Sequence, residues 1–461
     1  MKKSVLLLNP PGERMYLRTY FCSQTSKASY IYPPVELLVL SGIIAEEYDV
    51  ELVDAIADRL DSEVCEKKIL SADYHAIVFL TGYVSWREDF TLMEKIKQAK
   101  PDTKLVAIGD IMLSKSAARL REHPFIDAVI LDFTTAYILT YFKGGTDVRN
   151  MVFRKDDSLI EGGMSTPSET YEIPVPKHEL FMGKKYTYPL VRKLPMTTVL
   201  TDYGCVFNCA FCVYGTFNFK CRTVDNVMAE LNYIRSLEIP ELFFLDQTFG
   251  SNRERTVELC TRMVEERLNF SWFCFSRVDV VDKKTLSLMK QAGCHTVIFG
   301  VESADPGILK RYKKGYTPEK IKETFRTASE LGLTTVGTFL LGLPEEDKRS
   351  CYRTIAFARE LDCDFASFNI AVPRYGTRLR EQAISGKLID RDTDTMDQAG
   401  SFITMPTRNI TVEEMGEIRK KAYIDFYFRI AYIWRRLKKI RSLTEFKNQV
   451  TQALGIVRNI L

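Results

Sequence analysis

At 461 residues the chain is too long for one hydrophobic core and predicts two domains with appendages. Hydrophobic residues at 46% and charged residues at 27% are ordinary globular composition, which excludes a disordered or collagen-like chain. A formal net charge of +4 argues against a nucleic-acid partner, and no apolar run reaches the roughly 18 to 20 residues of a transmembrane helix.

The start, Met1-Lys2-Lys3-Ser4 running at once into Val5-Leu6-Leu7-Leu8, is too short for a signal-peptide core. It reads as a first strand, and the expected location is cytoplasmic. Apolar runs at 5–8, 50–53, 76–80, 105–108 and 128–131 alternate with helical spacing at 35–46, 60–70, 90–98 and 114–121. Helix-sized spacers between fully apolar strands imply right-handed βαβ units. Residues 1–145 are therefore predicted as a flavodoxin-like doubly wound parallel sheet, with its ligand at the strand carboxyl ends. Residues 146–190 carry Gly162-Gly163 and the dispersed Pro167, Pro174, Pro176 and Pro189 without a period, and read as a linker.

From 191 to 400 the alternation resumes, with strands at 197–201, 242–245, 272–275, 296–299, 335–340 and 365–370. Helices at 223–236, 253–266, 283–291, 318–332 and 347–361 lie between them. Six such repeats predict a partial TIM-like (β/α)6 barrel with function at the strand carboxyl ends. Residues 401–461 read as a helical extension. Tyr423, Phe426, Tyr427, Ile430, Ile433, Trp434, Leu437 and Ile440 recur at spacings of three and four, with Arg435, Arg436, Lys438 and Lys439 between them. That stripe predicts either docking on the barrel or an interfacial helix that touches a membrane and delivers a lipid-like substrate.

Eleven cysteines is an odd number without paired spacings, unlike a secreted disulfide framework. Cys22, Cys65, Cys260, Cys274, Cys294, Cys351 and Cys363 read as small buried hydrophobes. The remaining group is Gly204-Cys205-Val206-Phe207-Asn208-Cys209-Ala210-Phe211-Cys212, directly after the first barrel strand. Thiolates are the soft ligands that iron–sulfur clusters require, and three of them on one loop can wrap a cluster. Three thiolates for four irons leave one iron open, as a catalytic cluster needs. Two other readings recruit Cys221 as a fourth ligand: a zinc site, or a closed electron-transfer cluster.

This motif resembles the C-x3-C-x-Φ-C signature of the radical S-adenosylmethionine (SAM) superfamily, with Phe211 at the aromatic position. The resemblance extends through Leu245-Asp246-Gln247, Phe275-Ser276-Arg277-Val278-Asp279, Gly300-Val301-Glu302-Ser303 and Leu341-Gly342-Leu343-Pro344-Glu345. It implies a [4Fe–4S] cluster on Cys205, Cys209 and Cys212. It also implies SAM bound beside Phe211, Asp246, Ser276, Arg277 and Glu302, and reductive cleavage to methionine and a 5′-deoxyadenosyl radical. Plainer roles for three of these are a helix cap for Asp246, an ion pair for Arg277 and a surface acid for Glu302.

The first domain resembles the cobalamin-binding domain that precedes the barrel in one subfamily. Asn9-Pro10-Pro11, Tyr32-Pro33-Pro34-Val35-Glu36 and Thr81-Gly82 carry this resemblance, which implies cobalamin near Pro10, Pro11, Pro33, Thr81, Gly82 and Gly109. The cobalt-ligating D-x-H-x2-G element is not matched: Asp73-Tyr74-His75 has Val78 for its glycine and precedes the third strand. His75 reads as a residue at the start of that strand, so bound cobalamin is expected to lack a histidine on cobalt. Gly109-Asp110 and Leu131-Asp132-Phe133-Thr134 also depart from the glycine-rich turns of that subfamily.

Together the resemblances imply a radical enzyme that methylates an unactivated carbon, or one that performs cyclisation, oxidation or carbon–carbon coupling without methyl transfer. The expected partners are a small-molecule or lipid-like substrate and a flavodoxin- or ferredoxin-type electron donor. Tyr16, Tyr20, Phe21, Tyr30 and Tyr32 are expected to pack, or to line an apolar pocket.

Overall fold

The computed structural model describes residues 2–27, 30–145, 147–156 and 158–439, and beyond these 446, 450, 451, 453–455 and 457. The chain forms two compact units. One contains Met1–Ser26, Ile31–Tyr186 and Lys220–Leu237; the other contains Lys27–Tyr30, Thr187–Phe219 and Glu238–Leu461.

In the first unit β1 (Ser4–Asn9), β2 (Asp49–Asp54), β3 (Ala76–Leu80), β4 (Lys104–Ile108) and β5 (Ala128–Ile130) lie in the order 2-1-3-4-5, all parallel. This is the flavodoxin-like order, and β3 is buried throughout because helices cover both faces. The helix Val35–Ala45 is apolar on every side and is buried along nearly its whole length. The helical stretch expected at 114–121 is broken by Lys115, whose φ of 58° separates Asp110–Leu113 from Ser116–Glu122. A short helix at Tyr137–Phe142 was not expected from the sequence.

The predicted linker needs correction. Met151–Lys155 (β6) and Ser158–Glu161 (β7) form an antiparallel hairpin that continues the sheet beyond β5. Met151, Val152 and Phe153 are buried against the sheet, while the hairpin tip is exposed. Only half of each short strand needs apolar residues, so the hairpin leaves a weak period in sequence.

In the second unit β8 (Met196–Val199), β9 (Glu241–Phe244), β10 (Ser271–Ser276), β11 (Cys294–Glu302), β12 (Thr334–Leu341) and β13 (Phe365–Ile370) follow one another in a parallel sheet in chain order. The helices between them start at residues whose side chains cap the first turn: Asn252, Asp282, Thr317 and Asp347 each accept a bond from a backbone N–H three residues on. These caps are visible in sequence, which is why the predicted helix starts fall within a residue or two.

An open barrel leaves the outer edge of β13 with unpaired backbone groups. The helix Val412–Tyr427 covers that edge with tyrosine hydroxyls. Tyr427 Oη accepts from Ala366 N at 3.0 Å and donates to Ala366 O at 2.7 Å. Tyr423 Oη sits between the N–H and C=O of Phe368 at 3.3 and 3.4 Å, and Tyr432 Oη donates to Asp364 O at 2.9 Å. Four helix residues rise about 6 Å and two strand residues about 6.6 Å, so tyrosines one turn apart meet alternate strand residues.

The tail stripe is thus two faces, not one. Tyr423, Phe426 and Tyr432 are buried, whereas Ile430, Ile433, Trp434 and Leu437 are exposed; Ile440 lies outside the described residues. Six of the seven cysteines expected to be buried are buried, and Cys22 is half-buried. Tyr16, Tyr20, Phe21 and Tyr32 pack as core.

Candidate active site

The loop after β8 owes its course to three local features. Gly204 has φ +75°, and a Cβ there would stand 3.2 Å from the carbonyl oxygens of both Phe217 and Asn218. Asp246, at the end of β9, is wholly buried and accepts from Thr201 N (2.6 Å), Asp202 N (2.9 Å) and Thr201 Oγ1 (2.7 Å). Burial, with the charge of Asp202 adding to it, pushes the Asp246 carboxyl up to about 7. Further along, Ala210 N donates to Tyr312 O (3.1 Å) and Leu379 N donates to Ala210 O (2.9 Å), which ties the loop to the chain after β11 and β13.

The three thiols of this loop differ in setting. Cys209 is nearly buried, and its Sγ accepts from Arg277 Nη1 at 3.5 Å. Cys205 Sγ lies 3.6 Å from Thr248 Oγ1. Cys205 and Cys212 are half-exposed. Cys221 is not on the loop: it is buried in the short strand Lys220–Arg222, in register with Thr170, within the first unit. The loop therefore offers three soft donors, two of them with a protein group at hydrogen-bonding distance of the sulfur. That donor set fits a [4Fe–4S] cluster with one iron open.

Around the thiols the structure gathers Arg277, Lys314, Glu302 and Phe211. The Arg277 guanidinium lies 3.7 Å from the Phe207 ring centroid, pairs with Asp279 at 2.8 Å and donates to the carbonyl of Lys314. Lys314 Nζ pairs with Glu302 Oε1 at 3.1 Å and lies 5.6 Å from the Phe211 ring centroid. Burial alone would lower the Lys314 ammonium pKa; the charge of Glu302, with Tyr316 and Cys209 adding, outweighs it and holds the pKa above the ordinary lysine value. Glu302 has φ +64° and stands at a register shift between β11 and β12, a bulge that turns its carboxylate toward Lys314.

Two of the residues expected to contact SAM are engaged by protein groups. Asp246 faces the backbone of its own loop, so it caps neither the following helix nor an open cleft. Ser276 is buried and donates its hydroxyl proton to Phe249 O at 2.7 Å. Their positions at strand ends were legible, but which side of the strand end each would face was not. Lys314 and Tyr316 were missed. Their signal, Lys313-Lys314-Gly315-Tyr316 after a short helix, is a basic and aromatic turn that has no meaning until it is folded against Glu302.

In the first unit the strand carboxyl ends are lined by the chain's own segment 16–25. Buried Arg18 donates to Pro10 O (2.8 Å) and Pro11 O (2.9 Å) and pairs with Asp89 at 2.7 Å. A Cβ on Gly82 would meet Ser23 Cβ at 2.4 Å, and one on Gly109 would meet Thr81 O at 1.7 Å. Asp110, in the place of a glycine, accepts from Ser23 N at 2.7 Å. The Pro10 and Pro11 carbonyls and Gly82 thus lie against this segment, Gly109 lies against the Thr81 backbone, and Thr81 is itself buried.

A different residue here suits a cofactor. Glu36, after the buried Pro33-Pro34 turn, is itself buried; its Oε1 accepts from Tyr20 N at 2.7 Å, and its Oε2 has no partner. Burial pushes its carboxyl up to about 7. An unpartnered carboxyl that keeps a proton near neutrality can donate to a ligand carbonyl, which fits the amide-edged corrin of cobalamin. His75 stacks on Tyr48 at the opposite, amino end of β3, away from these loops.

A half-open parallel barrel with a three-thiol loop after its first strand defines an iron–sulfur radical enzyme. The sequence profile of the radical SAM superfamily matches residues 199–358. An uncharacterised methyltransferase of Pyrococcus horikoshii is 32% identical over 442 residues, 92% of this chain and 92% of its own. The anaerobic magnesium-protoporphyrin IX monomethyl ester cyclase of Rubrivivax gelatinosus is 25% identical over 74% of this chain and 64% of its own. Among solved structures, the radical SAM methyltransferase TsrM of Kitasatospora setae gives a TM-score of 0.66 at 17% identity, over 83% of this chain and 76% of its own. The cobalamin-dependent SAM radical enzyme OxsB gives 0.70 at 14% identity, over 99% and 72%. At those identities the two structures share the fold. The chain belongs to the radical SAM superfamily, and its cofactors accordingly include a [4Fe–4S] cluster and SAM. Among the described residues no helix is long and apolar enough to cross a membrane.

Proposed function

We propose that the protein is a cobalamin-dependent radical SAM methyltransferase acting on an unactivated carbon of a small-molecule or lipid-like substrate. The observation that carries the reading is the three-thiol loop with Arg277 and the Lys314–Glu302 pair against it, in a chain that also has the 2-1-3-4-5 sheet unit. The methyltransferase relative, alike over almost its full length, supports methyl transfer over the other radical outcomes.

In this reading Cys205, Cys209 and Cys212 would hold the cluster, which would supply the electron for SAM cleavage. Arg277 keeps a positive charge against the Cys209 thiolate and has its other donors fixed by Asp279, so its position does not depend on a ligand. Lys314 and Glu302 present one cation and one carboxylate beside Phe211, suited to the amino-acid and hydroxyl groups of SAM. Glu36 and Pro33 would hold cobalamin, which supplies a methyl carrier when bound. The partners are the substrate and a flavodoxin- or ferredoxin-type electron donor.

The test is anaerobic protein reconstituted with and without hydroxocobalamin. Wild type should carry about four irons, form 5′-deoxyadenosine from SAM under reduction, and retain cobalamin. Each of Cys205→Ala, Cys209→Ala and Cys212→Ala should lose the iron, while Cys221→Ala keeps it. Loss of the cluster in Cys221→Ala would show a closed four-cysteine site. Failure to retain cobalamin with SAM cleavage intact would leave a radical SAM enzyme without this methyl carrier.

A further inference from the structure

The helix Ile430–Lys439 is docked the wrong way round for a helix that lives in water. A soluble surface helix turns its apolar stripe inward and its charges outward. Here the inward contacts are one tyrosine and two arginines: the Tyr432 ring packs on Phe426 and Tyr427 with its Oη on Asp364 O, Arg436 Nη1 meets Asp364 Oδ1 at 3.2 Å, and Arg435 meets Asp362 and Cys363 O, the latter at 3.3 Å. The outward face carries Ile430, Ile433, Trp434 and Leu437, with Ile430 86% and Trp434 62% exposed. Phe428, at the bend before this helix, is also exposed. Further on, Phe446, Val450, Leu454 and Val457 repeat the spacing and are exposed as well.

Scattered apolar residues on a surface are ordinary, but a contiguous stripe held outward by specific inner bonds marks a contact surface. Its surroundings select the partner. From 429 to 461 the sequence has eight Lys and Arg against one Glu, although the formal net charge of the whole chain is only +4. An apolar stripe with a tryptophan, embedded in the most basic stretch of the chain, matches an anionic lipid surface in both charge and depth.

We infer that the helix Ile430–Lys439 lies in the interface of an anionic bilayer, with Ile430, Ile433, Trp434 and Leu437 among the lipid acyl chains and the exposed Lys438 at headgroup level. The tyrosine ladder and the Arg435 and Arg436 pairs anchor this surface to β13. The bilayer therefore meets the barrel wall at a fixed place, and a loose tail is not required. The surface stands on its own geometry, independent of the chemistry at the cluster loop.

The test uses the full-length, cluster-loaded protein with vesicles of phosphatidylcholine alone or with 30% phosphatidylglycerol, at 50 and 150 mM salt. Wild type should sediment with the anionic vesicles and bind at least tenfold less to the neutral ones. The anionic binding should weaken as salt rises, and the emission of Trp434 should shift to the blue. The double variant Ile433→Asp/Leu437→Asp alters only outward side chains. It should keep its cluster absorbance and SAM cleavage while losing vesicle binding at least tenfold. The inference is overturned if wild type ignores anionic vesicles at both salts, or if the double variant binds them as well as wild type does. It is equally overturned if light scattering shows a dimer that the double variant splits, since the stripe would then belong to a second copy of this chain.

Discussion

At the scale of single residues, Arg277 gives the sharpest expectation. Its guanidinium donates to Cys209 Sγ at 3.5 Å and is held in place by Asp279 and the Phe207 ring. A fixed cation beside a ligating sulfur favours the cluster that holds one more electron. Arg277→Gln should therefore lower the midpoint potential on the order of 60 mV, about tenfold in a one-electron constant, and slow SAM cleavage. Arg277→Lys should fall between, because it keeps the charge but loses the fork. Potentiometry followed by paramagnetic resonance reads this directly; unchanged potentials in both variants would reduce Arg277 to a partner of Asp279.

At the scale of elements, the edge of β13 is the place where a few atoms hold a whole helix. Tyr427→Phe removes one hydroxyl and leaves both the N–H and the C=O of Ala366 without their partner. A buried backbone group left unpaired costs about 1–3 kcal/mol. For a unit of this size that corresponds to a fall in Tm of roughly 2–4 °C per kcal/mol. Amide exchange should accelerate at residues 364–370 more than elsewhere in the barrel. Equal protection in the variant and wild type would mean that the edge is covered by packing alone. The same element shows why the tail was half legible. Spacings of three and four disclosed a helix and its apolar content, but a tyrosine satisfies an apolar pattern and a strand edge equally well.

For the molecule as a whole, three buried carboxyls, Glu36, Asp246 and Glu346, are pushed up to about 7 by burial. Their ordinary values are 4.5, 3.8 and 4.5. Between about pH 4 and 7 the folded protein therefore keeps protons that the unfolded chain has released, so these groups make stability fall as pH rises through that window and level off above it. Carboxyls held below their usual range, such as Asp282 beside the Thr285 N–H and Asp347 beside the Ser350 N–H, act in the opposite sense. A variant is thus needed to separate them. Glu346 Oε2 accepts from the N–H of Gly342 (2.9 Å) and Leu343 (3.0 Å), bonds that a glutamine oxygen can also take. Glu346→Gln should gain stability relative to wild type as pH rises from 4.5 to 7, and hold that gain above 7. Parallel denaturation midpoints for the two proteins across this range would show that Glu346 does not titrate in the fold.

The sequence alone determined the parallel strands of both units and the three-thiol loop, because these depend on local pattern. Apolar strands between helix-sized spacers allow one crossover hand, N-cap residues mark helix starts, and a cluster loop needs its cysteines close in the chain. It also marked Arg277 and Glu302, since polar residues that end apolar runs fall at strand carboxyl ends, whereas Phe211 was marked by its place in the cysteine signature. Tertiary structure decided the rest, because contacts distant in sequence have no period. It joined Lys314 to Glu302, turned Asp246 back onto Thr201 and Asp202, packed Gly82 and Gly109 against Ser23 and Thr81, and made a sheet hairpin of residues 151–161. It also turned Trp434 outward: a stripe of apolar side chains records that a surface exists, and only the bonds on the other side of the helix fix which way it faces.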